Sequence, residues 1–242
     1  MSGHSKWKNI MHKKEKTDAQ KAKVFTKIGK EIAVAVKAGG SDPASNSKLK
    51  ELIAKAKANN VPNDNIDRII KKSSDASSAN IEEITYEGYG PCGVAVIVET
   101  ATDNRNRTGG DIRHYFDKFG GNLGQSGCVS FMFEDKGVII VTRESGADED
   151  SLMEAALEAG ASDFEASEDI FEIYTEPSDL WDVRDAIVAA GFVIESADTD
   201  KIPSTYVTID NEDDLKAMNK MLEHFEEHDD VIEVYHNCEN AG

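Results

Sequence analysis

The spacing of apolar residues changes once along this 242-residue chain, near Asn80, from a helical period to an extended one. Such a chain folds in two styles: helices packed on one another first, then strands and helices mixed. Before the change, Ala22, Phe25, Ile28, Ile32 and Val36 recur at steps of three and four and define one face of a helix over 18–38. Steps of three, four and seven also gather Lys16, Lys23, Lys27, Lys30 and Lys37 on the opposite side. Gly39 and Gly40 stop this helix, Ser41 or Asp42 is placed to cap the next, and Pro43 suits its first turn. Leu49, Leu52, Ile53 and Ala56 make the second apolar stripe, with Lys48, Lys50, Lys55 and Lys57 outside it. A short third helix after Pro62 packs through Ile66, Ile69 and Ile70, and the segment 73–80 reads as a linker.

Beyond Asn80 the pattern predicts strands over 81–87 and 93–99 around a Gly88-Tyr89-Gly90-Pro91 turn, a helix over 108–119 and a strand over 129–133. A strand over 137–141, a helix over 149–158 and strands over 163–165 and 170–175 come next. A helix over 180–190 and a strand over 192–197 close the series. That order, βαββαβ, is the ferredoxin-like split βαβ plan. A strand over 205–209, a helix over 212–225 and a strand over 231–235 complete a second copy with the elements of 93–133. The expected architecture is α+β in three domains. Residues 1–80 form a basic three-helix domain, 81–135 with 204–242 a discontinuous α/β domain, and 136–203 a second α/β domain inserted into it.

Charge divides the chain at the same place. Residues 1–80 carry 17 Lys/Arg and 8 Asp/Glu, a net of +9; the rest carries 10 and 38, a net of −28. Nine lysines fall in the first thirty residues against only Glu15 and Asp18. A basic module on an acidic body points to a partner such as DNA, or ribosomal RNA in a ribosome, with the body's field imposing orientation and repelling nonspecific contact. The acidic α/β domains are also a surface for a protein partner. No run reaches the eighteen or so apolar residues of a membrane span, so no membrane partner is expected. The basic start lacks a hydrophobic stretch of signal type, and Cys92, Cys128 and Cys238 are scattered as reduced thiols would be. The cytoplasm is the expected location.

The segment Thr102-Asp103-Asn104-Arg105-Asn106-Arg107-Thr108 lies between a strand and a helix. Asp103 or Thr108 is placed to cap the helix, and the asparagines suit a turn. Two arginines in an acidic body also suit phosphate or base-edge contact, and composition leaves both readings open. Trp7 is likewise open between packing on the first helix and stacking on a base. The chain holds no GxSxG elbow, phosphate-binding loop or dinucleotide fingerprint, so no enzymatic activity and no cofactor are expected. His224 and His228 stand four apart on a helix, but Phe225 occupies the place where a zinc protease needs glutamate, and no metal site is expected.

Over essentially its whole length the chain resembles the YebC/PmpR family, which includes the mitochondrial translational activator of cytochrome c oxidase. The resemblance rests on Gly3-His4-Ser5-Lys6-Trp7, Lys27-Ile28-Gly29-Lys30-Glu31-Ile32, Asn63-Asp64-Asn65-Ile66, Tyr86-Glu87-Gly88-Tyr89-Gly90-Pro91 and the Thr102–Thr108 segment. It implies a helical N-terminal domain followed by two α/β domains, one inserted in the other, and no enzymatic activity. It implies transcriptional regulation through promoter DNA or, in other members, translation factors acting at ribosomes stalled on proline-rich stretches. Carried onto this sequence, it makes Lys6, Lys13, Lys14, Lys23, Lys27 and Lys30 a nucleic-acid surface and Arg105 and Arg107 a second contact. Two positions depart from the family pattern: Cys92 stands where glycine is expected, and Cys128 where serine is usual.

Overall fold

The computed structural model describes residues 18–74 and 81–241, with the side chains of residues 18–21 and 58 left aside. Three helices lead: α1 (Asp18–Gly39), α2 (Ser47–Ala58) and α3 (Asn63–Ser74). Strands β1 (Glu82–Tyr89) and β2 (Ala95–Thr102), helix α4 (Arg105–Lys118) and strand β3 (Asn122–Leu123) follow. Next come β4 (Phe133–Thr142), α5 (Glu149–Glu158), β5 (Asp163–Ala166), β6 (Ile170–Thr175), α6 (Leu180–Ala189) and β7 (Ser196–Pro203), then α7 (Glu212–Glu227) and β8 (Val231–His236). They make two compact units: one is Phe131–Tyr206, and the other joins the described chain up to Ser130 with Val207 onward. Among the described residues no helix is long and apolar enough to cross a membrane.

In the discontinuous unit, α1, α2 and α3 bury Ile28, Ile32, Val36, Leu49, Leu52, Ala56, Val61 and Ile66 as one apolar cluster. The second helix is capped by Asn46 rather than by Ser41 or Asp42. Its Oδ1 accepts from the Leu49 N–H at 3.0 Å, while its Nδ2 donates to the Ala35 and Gly40 carbonyls, each at 2.8 Å. An amide accepts at the start of one helix and donates twice at the end of another, where the Ser41 hydroxyl could donate once and the Asp42 carboxylate not at all, which is why the buried Asn46 outcompetes its neighbours. The Lys55 ammonium meets Glu31 at 3.0 Å and ties α2 to α1 a second time.

The sheet of this unit runs β3-β1-β2-β8, all antiparallel. Its helix-facing side and α4 and α7 enclose a core of Val94, Val96, Val98, Ile112, Phe116, Met218, Met221 and Phe225. The strand expected over 205–209 is absent from the ladder. Val207 makes a single parallel bridge to Cys238, and β1 holds the position that the βαββαβ order assigns to that strand. The physical reason is local: β1 pairs with β2 over eight residues through a tight turn, so it reaches the place with a far shorter loop. The expected strand over 129–133 is also missing, and a 3-10 turn occupies Ser130–Met132. The Glu87 carboxylate accepts the N–H groups of Gly127, Val129 and Ser130 at 2.7, 2.9 and 2.8 Å, so those donors are withdrawn from any ladder. In the turn before β2, Cys92 takes a left-handed backbone (φ 56°). The glycine that the family resemblance places there would adopt it at no steric cost.

The unit Phe131–Tyr206 follows the ferredoxin-like plan in chain order. Its sheet runs β5-β6-β4-β7, all antiparallel, with α5 and α6 on one face over Ile139, Val141, Leu152, Phe171, Ile173, Leu180, Val183 and Ile187. The last strand begins at Ser196 rather than 192. Gly191, at φ 98°, ends the helix, and Phe192 and Ile194 serve the core as the chain returns. The apolar run marked the returning loop, while the charged stretch Ser196–Pro203 pairs with β4 at the sheet edge.

Candidate nucleic-acid interface

The site is built on the N-terminus of α4 and the end of α7, two places where backbone groups need partners. At α4 the cap is Asn104, whose Oδ1 accepts from the Arg107 N–H at 3.1 Å. Thr108 is therefore one turn inside the helix, fully buried, and its hydroxyl donates to Asp230 Oδ2 at 2.7 Å. Thr102 Oγ1 lies 3.2 Å from the same oxygen and accepts the Asn104 N–H at 2.9 Å. Arg107 reaches back along α4 to Asp230 Oδ2 at 2.8 Å and to Asp103 at 3.0 Å. From the helical module, Lys30 Nζ approaches Asp230 Oδ1 at 2.5 Å.

Asp230 is thus a buried carboxylate, 4 % exposed, on which Lys30 and Arg107 converge from different parts of the chain. Burial by itself would raise its carboxyl. The hydrogen bonds from Arg107, Lys30 and Thr108 outweigh that and hold it well below the usual carboxylate range. Its own N–H donates to His228 Nδ1 at 3.1 Å, which leaves His228 Nε2 to donate to Asp111 at 3.2 Å. His224 on α7 and His228 at its C-terminal cap do not act as a pair: His224 Nδ1 sits 2.8 Å from the Lys220 carbonyl, and its ring lies against Phe119 and Tyr115. Among the described residues no group of three or more His, Cys, Asp or Glu is arranged to hold a metal.

The lysine stripe of α1 meets the same place. Lys27 Nζ donates to the Glu226 carbonyl at 2.8 Å, Lys23 to the Glu227 carbonyl at 3.4 Å, and Lys30 to the Asp229 carbonyl at 2.8 Å. These carbonyls lie in the last turn of α7 and just past it, where acceptors lack intrahelical donors and the helix dipole is negative. Beside this contact a polar cleft of about 650 Å³ opens, lined by Thr26 and Lys30 on one side and by Arg107, Tyr115, His228 and Asp230 on the other.

Of the residues singled out in the sequence, Lys23, Lys27, Lys30 and Arg107 are therefore brought together at the end of α7. Arg105 is exposed in the first turn of α4, and Lys6, Lys13 and Lys14 lie outside the described residues. The sequence reading missed Asp230, which nothing distinguishes among 46 acidic residues. It also treated Thr108 as a cap, although the motif that carries Thr108 was among the strongest pieces of the resemblance.

A lysine-rich three-helix module joined to two four-stranded antiparallel α+β sheets defines the class of protein. The model for the TACO1/YebC protein N-terminal domain matches residues 5–76, and that for the TACO1/YebC second and third domain matches 81–238. The chain belongs to the TACO1/YebC family. It is 56 % identical over 238 residues to a protein of Acetivibrio thermocellus, covering 98 % of each chain. It is 55 % identical over 240 residues to one of Ruminiclostridium cellulolyticum, covering 99 % of this chain and 97 % of that one. Both relatives carry the name "Probable transcriptional regulatory protein". A crystal structure of a conserved hypothetical protein from Aquifex aeolicus superposes with a TM-score of 0.83 at 44 % identity, over 93 % of this chain and 92 % of that one.

Proposed function

We propose that this protein is a non-enzymatic, nucleic-acid-binding regulator of gene expression in the cytoplasm, acting on DNA as a transcriptional regulator. The observation that carries the reading is the outer surface of the helical module. Lys48, Lys50 and Lys57 on α2, and Arg68, Lys71 and Lys72 on α3, are all exposed in a protein whose net charge is −19. Cations concentrated on one rigid module of an acidic protein favour phosphate contact and set the orientation of approach. The names of the relatives agree with regulation of transcription. Arg105, exposed at the start of α4, is a second contact, and Lys6, Lys13 and Lys14 extend the basic surface.

One observation favours a second reading, contact with ribosomal RNA as a translation factor. The best-placed base reader on α3, Arg68, is engaged by Asn65 at 2.9 Å and flanked by Asp64 and Asp67. What is left for contact is mostly lysine, which recognises backbone and shape more readily than sequence. Fluorescence anisotropy with a labelled DNA duplex and a labelled RNA hairpin, each at about 50 and about 200 mM salt, tests both readings. Replacing Lys50, Lys57, Lys71 and Lys72 together by Gln is expected to weaken binding at least tenfold and to flatten the salt dependence. Unchanged affinity in that variant defeats the proposed surface, and the tighter of the two probes chooses between DNA and RNA.

A further inference from the structure

Building on the reading that the helical module binds nucleic acid, we propose that Lys23, Lys27 and Lys30 form a latch. The end of α7 occupies these lysines in the resting protein, and a nucleic-acid backbone competes them away, swinging the module off the sheet and adding the lysines to the contact. Three observations carry this.

The first is chemical mimicry. Lys23, Lys27 and Lys30 stand four and three residues apart on one stripe of α1, and each finds an oxygen within the run Glu226-Glu227-His228-Asp229-Asp230. A row of carbonyl oxygens and a carboxylate at the negative end of a helix presents to lysine what a row of phosphates presents.

The second is that the two modules close separate apolar cores. The apolar cluster of the helical module and that of the sheet share no residue, and α1 meets the end of α7 through its lysines, although α1 also lies against β2 and β8. A cleft of about 650 Å³ brings water to the Lys30–Asp230 pair. The outer contacts, those of Lys23 and Lys27, are exposed, so they are screened by salt and open to competition from other anions, the buried Lys30–Asp230 pair less so.

The third is that opening leaves the carboxylate charge paired: Oδ1 gives up Lys30 to water, while Oδ2 keeps its donors. If Lys30 leaves, Asp230 keeps Arg107 at 2.8 Å, Thr108 at 2.7 Å and Thr102 at 3.2 Å. The carboxylate is prepared for the departure of one partner, where a simple buried pair would lose its only counter-charge.

A closed latch lowers apparent affinity by the fraction of molecules that are open, so releasing it raises affinity. The test uses the full chain carrying genetically encoded fluorophores at Lys57 and Glu223, with an RNA hairpin and a DNA duplex as probes. In the unsubstituted chain, probe or about 0.5 M KCl is expected to lower energy transfer between the two positions. Asp230→Asn is expected to start in the low-transfer state and to bind the better probe about fivefold to tenfold more tightly at low salt. Binding with no change in transfer overturns the latch while leaving the nucleic-acid reading intact. Equal or weaker binding by a folded Asp230→Asn chain also overturns it, because a merely structural carboxylate gives that result. If that variant does not fold, the transfer measurement on the unsubstituted chain decides alone. Failure of both probes to bind at any salt overturns both the latch and the reading beneath it.

Discussion

Among the described residues of the discontinuous unit two carboxylates are buried, Glu87 at 6 % and Asp230 at 4 % exposure, and they are satisfied by opposite kinds of partner. Glu87 takes three backbone N–H groups from one short loop, none of which can leave without unfolding that loop. Asp230 takes a lysine from another module, an arginine that is half exposed, and two hydroxyls. Both carboxyls sit below their ordinary range, burial being outweighed by hydrogen bonds in each case. The shared shift therefore says nothing about role. What separates them is where the donors are anchored: Glu87 is a fixed part of the fold, and Asp230 sits at a joint.

The largest effect should come from the fixed one. Glu87→Ala leaves the Gly127, Val129 and Ser130 N–H groups without their acceptor. Chemical denaturation should show a loss of about 3–4 kcal/mol, given the usual cost of unsatisfied buried donors. The energy transfer between labels on the helical module and α7 should stay as it was. A loss below about 1 kcal/mol would mean that water replaces the carboxylate and that the two sites are alike after all.

The acid response separates the carboxylates from a third, partly buried group. Burial lowers the His236 imidazole from 6.5 to about 4, while Nδ1 accepts the Cys238 N–H at 3.2 Å. A base whose folded value is depressed stays neutral in the fold and charges in the unfolded chain. Its contribution is therefore complete above pH 6.5 and is lost as pH falls toward 4. That interval is worth up to ~3 kcal/mol. Glu87 and Asp230 act only lower down, where protonation of the unfolded chain begins near 4.5 and 3.8, and their contribution disappears as pH falls further. Stability against pH should thus decline in two stages. His236→Asn should flatten the first stage and leave the second, and a variant profile with the first stage intact would exclude His236 as its origin.

Asp230→Asn comes next, at about 2 kcal/mol, because the amide keeps partners for Thr102 and Thr108 while Lys30 and Arg107 can turn to water. The comparison predicts that this cost shrinks somewhat in high salt, through the half-exposed Arg107 pair, and that the cost of Glu87→Ala does not. Equal salt sensitivity in the two variants would erase the distinction between joint and fixture.

Much of this arrangement was legible in the sequence, and what was not has a common cause. Periodicity located α1, α5, β6, α7 and β8 to within a residue or two, because each buries one stripe or face in a regular repeat. It failed where tertiary partners overrule local pattern. Glu87 withdraws the donors of a would-be strand at 129–133, a hairpin displaces the strand expected at 205–209, and Asn46 takes a cap that nearer residues were placed to fill. The candidate site divides in the same way. Lys30 stood out as a cation on a patterned helix and Arg107 as an arginine in an acidic turn segment, whereas Asp230, the group that joins them, is one acid among many. The α1 stripe, legible as the polar side of an amphipathic helix, proved to have a second role as a docking face.

The smallest predicted effect supplies the baseline for all the others, since it changes the backbone and no buried charge. Cys92 holds a left-handed conformation (φ 56°) in the turn between β1 and β2, beside Gly93 at φ 77°. A residue with a Cβ is disfavoured there by roughly 1 kcal/mol, and glycine is not. The exposed thiol makes one weak contact, 3.5 Å from Asp214, so little is lost with it. Part of the gain is returned because glycine is freer in the unfolded chain. Cys92→Gly should therefore raise stability by about 0.5–1 kcal/mol, by the same amount at every salt concentration and on both sides of the His236 transition. A gain that varied with salt or pH would show that the hairpin turn is coupled to the charged joint. The separation drawn between Glu87 and Asp230 would then have to be redrawn around β1 as a whole.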